Sequence, residues 1–187
     1  MQNRTFKWYD MITVNIYYLA LTMLSQTLVP LVLPLLVQQF VGETQKATYL
    51  GTIRLWGLMV ALLAQAFWGM ISDRSTSRWG RRRPFILGGT IGDFIFLIGI
   101  GLTAGLSGLT GFWVLFVCYL LLQLCTNAAH GATQGLIPDL VPESQRGRFS
   151  AVKAIFEVPL PVILVSFTIA TFIKDGNLWL GLITLMG

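Results

Sequence analysis

Two groups of residues in this 187-residue chain have the types and spacing to do chemistry. The first is a charged run between two apolar segments. Gly69-Met70-Ile71-Ser72-Asp73-Arg74 closes one segment, and Gly80-Arg81-Arg82-Arg83-Pro84 opens the next. A carboxylate at a helix C-terminus is unfavourable against the helix dipole unless cations compensate it. Arginine can do so in a fixed fork geometry. Charge pairs of this kind can form and break, which is the chemistry of a gate. A second loop, Gly135 to Arg148, carries Asp139, Glu143, Arg146 and Arg148, and would face the first across the same surface. Ordinary surface solvation is the alternative for these four.

The second group is Gln123, Asn127, His130 and Gln134, spaced four, three and four. At about 100° per residue they form one helical stripe roughly 60° wide and on the order of 16 Å long. Four polar side chains on one face cannot sit cheaply against lipid. They either line a water-filled cavity or hydrogen-bond to neighbouring helices. As a cavity lining they could bind a hydroxyl-rich substrate. Two intramembrane acids, Asp93 and Glu157, are candidates for proton coupling, although Glu157 lies four residues after Lys153 and the two can neutralise each other.

The elements that must position these groups follow from composition. Hydrophobic residues make up 55% of the chain and charged residues 11%, against roughly 25% charged in an average soluble domain. Mean hydropathy is +0.70. A soluble enzyme or binding module would need more charge to cover its surface, and disorder requires low hydrophobicity. The chain therefore reads as an all-α, multi-pass integral membrane protein. Cys118 and Cys125, seven apart on one helix and about 10 Å from each other, cannot bridge. No metal-ligand spacing, nucleotide-binding glycine loop or nucleophile–base pattern occurs, so neither an enzyme nor a cofactor is expected.

Apolar runs predict helices over about 11–41, 49–71, 84–106, 110–136 and 149–173, with a sixth starting at about 178 and incomplete at 187. The first run is too long for a signal-peptide core. Pro84 sits where a helix start tolerates proline best. Ten of the thirteen Lys and Arg residues fall on one side of these spans and three (Lys46, Arg54 and Lys174) on the other. The positive-inside rule places the ten, and the N-terminus, in the cytoplasm of a plasma or inner membrane. The net charge of +5 is thus a topology signal, and no nucleic-acid partner is expected. Gly88-x-x-x-Gly92, Gly101-x-x-x-Gly105 and Gly131-x-x-x-Gly135 are expected to permit close helix approach. Pro30, Pro34, Pro159 and Pro161 are expected to kink or unwind their helices.

The run from Ser72 to Ile86 resembles the S-D-R-x-T-S-R-x-G-R-R-R-P-F-I signature of the major facilitator superfamily, in the form found in its glycoside and sucrose symporter branch. Pro138-Asp139-Leu140 and Arg146-Gly147-Arg148 resemble a second stretch of the same carriers. The resemblance implies the N-terminal six-helix bundle of a twelve-helix fold with its sixth helix incomplete and its C-terminal half absent. It implies proton-coupled transport of a sugar or glycoside by alternating access, with the lipid bilayer and the missing half as partners. Gly69, Asp73, Arg74, Gly80, Arg81, Arg82 and Arg83 would form the cytoplasmic gate, with Asp139, Arg146 and Arg148. Asn127, Gly131 and Asp139 fit a helix-four pattern of plant sucrose carriers, with His130 in place of a glutamine. Gln123 stands where those carriers place a membrane-embedded aspartate, and a glutamine cannot titrate. No mid-membrane Asp pair supports the sodium site of melibiose-type relatives. An exporter of an unrelated small molecule, or a half-length membrane protein that does not transport, are the alternative readings.

Overall fold

The computed structural model describes residues 8–76, 78 and 80–169. Arg4, Lys7, Lys174 and the expected sixth helix lie outside the described residues. The elements are α1 (Trp8–Thr27), a π-helical turn (Leu28–Val32), α2 (Leu33–Arg74), α3 (Arg83–Thr103), α4 (Gly108–Gln134), the short α5 (Leu136–Leu140), a 3-10 turn (Glu143–Gln145), α6 (Arg146–Glu157), α7 (Pro159–Leu164) and a second π-helical turn (Val165–Ile169). Among the described residues there is helix and turn but no strand.

Among the described residues, four helical stretches are long and apolar enough to cross a membrane: Asn15–Arg74, Arg83–Thr103, Gly108–Asp139 and Glu143–Phe167. Straight, the first would run for about 90 Å, three times the hydrocarbon core. It is broken at Gly42, whose φ of 75° and ψ of 174° are open in practice only to glycine. The chain reverses there. The Arg54 guanidinium reaches the carbonyl of Val29 at 2.8 Å, although 25 residues of straight helix would separate them by about 37 Å. Residues 8–41 and 43–74 are therefore two antiparallel passages, and the second starts earlier than residue 49 because no loop intervenes.

The fifth passage departs from a single helix. Pro159 has no N–H to donate back into α6, and the helix divides at Val158, with φ −118° and ψ −73°, between α6 and α7. Helix four likewise ends at Gln134, and α5 follows as a separate turn.

Helix α4 lies at the centre, packed on α2 and α3, while α1 packs on α6 and α7. Leu36, Val37, Phe40, Ile53, Ile100, Phe112, Leu115 and Leu122 form the core between them. Small residues set the approach. A side chain at Gly89 would meet Ala129 Cβ and Cys125 O, each at 2.7 Å, and one at Gly131 would meet Gln65 O at 3.2 Å. Gly88 faces open space, so its expected role in close approach passes to Gly89, one residue on and about 100° round the helix. Gly105 has only the Leu102 carbonyl of its own turn nearby. The outward residues of α2, including Leu58, Leu62, Leu63, Phe67 and Met70, are exposed, as a lipid-facing surface requires.

Candidate functional site: a charged cluster and a polar cavity

The charged cluster forms at one end of the bundle, around Arg82. Gly80 turns the chain with φ 101°, and α3 starts at Arg83 with proline in its first turn. The register carries Arg82 inward, where it is 7% exposed. Its Nη2 lies 2.7 Å from Asp73 Oδ1 and its Nε donates to Asp139 Oδ2 at 2.8 Å. Its Nη1 reaches Ser72 Oγ at 3.4 Å, and that hydroxyl donates to Gly69 O at 2.9 Å. One guanidinium therefore ties the end of α2 to α5, the segment that follows α4.

The other predicted gate residues spread outward. Arg81 makes a longer contact to Asp139, at 3.4 Å. Arg146 stays within its own loop, 3.5 Å from Glu143 and within reach of the Val141 and Pro138 carbonyls. Arg74, Arg83 and Arg148 enter none of the ion pairs among the described residues. Sequence reasoning missed Gly135 in this cluster. A Cβ there would collide with the Arg82 guanidinium, so the glycine makes the slot in which the arginine lies. Gly135→Ala is expected to cost about 1–3 kcal/mol by overpacking. In an Arg82→Gln background most of that cost should vanish. Thermal unfolding of the four proteins of this double-mutant cycle measures the coupling; additive effects would mean that the two sites are independent.

The polar stripe of α4 forms one wall of a cavity of about 210 Å³. Gln123, Asn127 and His130 line it together with Thr126 and Ala61. Gln134 lies beyond the cavity, with its Nε2 3.3 Å from His130 Nε2. Gln123 reaches the Gly57 carbonyl at 3.4 Å, and Asn127 donates to the Gln123 carbonyl at 2.8 Å. The opposite wall is α1, through Tyr18, Leu21, Thr22 and Ser25. Tyr18, Thr22 and Ser25 share this face at helical spacing, and the sequence reading did not single them out. The Tyr18 ring packs edge-on to His130, and the Lys153 ammonium sits 4.4 Å from its centroid. The Tyr18 hydroxyl is buried and has no hydrogen-bond partner among the described residues.

The two intramembrane acids have different surroundings. Glu157 is paired with Lys153 at 3.1 Å, the neutralising arrangement that their spacing permits. Asp93 is 8% exposed and enters no ion pair with a described residue. It accepts a 2.6 Å hydrogen bond from the Thr126 hydroxyl. It also borders a narrow cleft of about 70 Å³ between α1 and α3, shared with Tyr17 and Thr90, which are bonded to each other at 3.0 Å. Thr126 thus belongs both to the wall of the polar cavity and to the partner shell of Asp93. Among the described residues there is no group of His, Cys, Asp and Glu that could hold a metal ion.

The chain matches the family model of MFS/sugar transport proteins over residues 13–177. It is 34% identical to a sucrose transport protein of Arabidopsis thaliana over 116 residues, 54% of this chain and 20% of that protein. Against an uncharacterized symporter of Synechocystis sp. the identity is 29% over 119 residues, 60% of this chain and 22% of the relative. A sucrose transport protein of Oryza sativa subsp. japonica is 30% identical over 102 residues, 46% of this chain and 19% of the relative. The matches thus span about a fifth of the length of these curated relatives. No solved structure matches the chain.

Proposed function

Because the chain belongs to the MFS/sugar transport protein family, we propose that it is the N-terminal part of a carrier that moves a sugar or glycoside across a membrane by alternating access, driven by a proton gradient. The cavity between α1 and α4 carries this reading: a membrane-spanning bundle has otherwise little reason to gather Tyr18, Thr22, Ser25, Gln123, Asn127 and His130 around one space. These side chains offer the mixed donors and acceptors that sugar hydroxyls need. A second half of the protein would close the site from the other side, as paired repeats do in such carriers. The excess of arginine at the Asp73–Arg82–Asp139 end supports a cytoplasmic placement of that end. With Arg82 held by Asp73 and Asp139 inside this half, exposed Arg74 and Arg83, which enter no ion pair among the described residues, are left to meet the second half as a gate.

Proton coupling falls to Asp93 rather than to Glu157, whose charge Lys153 already balances. Ionised Asp93 holds the Thr126 hydroxyl by accepting its hydrogen bond. Protonated Asp93 carries a donor of its own and releases that hydroxyl towards the cavity. The test is glycoside uptake by the whole protein in proteoliposomes under an imposed proton gradient. Gradient-driven accumulation is expected, and its absence from a folded sample would overturn the reading. In the Asp93→Asn variant, accumulation should disappear while downhill exchange of substrate persists. Undiminished accumulation in that variant would remove Asp93 from the mechanism.

A further inference from the structure

Arg54 lies about 8 Å past Tyr49, where the apolar part of the second passage begins. An arginine at such depth is costly unless its donors are used, yet Arg54 enters none of the ion pairs among the described residues. Its contact is instead the 2.8 Å hydrogen bond to the backbone carbonyl of Val29.

The backbone of the first passage explains why that carbonyl is free. In the π-helical turn the N–H of Leu33 donates to the carbonyl of Leu28, five residues back. The next donor in the same series would be the N–H of residue 34, directed at Val29. Residue 34 is proline, which has no N–H. Val29 therefore loses both its ordinary helical donor, which has gone to Leu28, and the π-type donor that would replace it. A carbonyl left unpaired within a membrane costs several kcal/mol.

We propose that Arg54 is a positioning residue. It supplies to Val29 the hydrogen bond that Pro34 withholds, and so sets the direction of the first passage beyond the polar cavity. The turn begins three residues after Ser25, the last α1 residue of the cavity wall, and its buried Leu28 and Val32 pack into the core. A change in its direction would move one wall of the cavity relative to α4. The assignment stands whatever substrate the carrier takes.

The experiment is backbone hydrogen exchange on the whole protein in detergent or nanodiscs, read in peptides covering 28–41 and, as a control, 90–103. Arg54→Gln should accelerate exchange in 28–41 by about tenfold, the size expected for one lost hydrogen bond from a charged donor, and leave the control peptide unchanged. Arg54→Lys, which keeps a charged donor, should restore most of the protection. Pro34→Ala returns the missing N–H, so the Pro34→Ala/Arg54→Gln double variant should exchange like the parent. Unchanged exchange in Arg54→Gln would overturn the proposal. So would acceleration spread over both peptides, or acceleration that Pro34→Ala does not reverse. If Arg54→Gln cannot be isolated folded, recovery of the double variant supports the assignment, and failure of both variants overturns it.

Discussion

Arg82→Gln is expected to lower the stability of the protein by about 2–4 kcal/mol, whereas Arg81→Gln and Arg83→Gln should each change it by less than about 1 kcal/mol. The three arginines are adjacent in sequence but not equivalent in place. Arg82 is nearly buried and directs its three guanidinium nitrogens to Asp73, Asp139 and Ser72. Glutamine is shorter and offers one amide, so it cannot replace the fork, and two carboxylates would then face the same vacated spot without a cation. Their exposures of 56% and 39% let them relax into water, which keeps the cost below that of a fully buried triad. Arg81 has a long contact at the surface, and Arg83 enters no ion pair among the described residues. Thermal unfolding of the three variants separates the cases. Equal, small effects would mean a solvated basic loop rather than a built cluster.

Gly89→Ala is expected to cost about 3 kcal/mol, at the upper end of overpacking penalties, while Gly88→Ala should be neutral or stabilise the helix slightly. A methyl group at Gly89 would press on Ala129 N at 2.9 Å and on the carbonyl of Cys125. Both are backbone atoms of α4, so relief requires the two helices to separate. One turn further along α3 lies Asp93, whose hydrogen bond to Thr126 spans the same gap at 2.6 Å. On the proposed function the alanine should therefore reduce proton-driven uptake as well as stability, and both can be measured on one preparation. A stable Gly89→Ala protein with normal uptake would show that α3 and α4 are not in tight register there.

Much of this architecture was legible in the sequence because membrane helices announce themselves by length and apolarity. The α4 stripe was legible because polar residues are rare in such runs and a period near 3.6 sorts them onto one face. The charged loop was legible because an acid at a helix end beside three arginines has few other uses. Which arginine turns inward was not. Successive residues at a helix start differ by about 100° in direction, so the choice of Arg82 depends on α3 starting at Arg83. The same rotation separates Gly89 from Gly88. Thr126 and Tyr18 escaped notice because a threonine and a tyrosine in an apolar run do not stand out until a neighbouring helix shows what they touch. Arg54 was visible as a charge near the start of a span, but its partner, a carbonyl freed by a proline on another passage, is a tertiary fact.

The reversal at Gly42 bears on how the protein is made. With no loop between residues 41 and 43, the first two passages are joined through one glycine, and insertion as a pair is the expected route. They form one hairpin. Entering alone, the second passage would carry Arg54 into the start of its apolar run with its charge bare, at a cost below the roughly 3 kcal/mol that insertion scales give at mid-helix. Entering folded against the first, it meets the Val29 carbonyl on the way in. A single glycine thereby sets the first passage beside the second, where the Val29 carbonyl meets Arg54, and a side chain at that position is expected to disturb the hairpin itself.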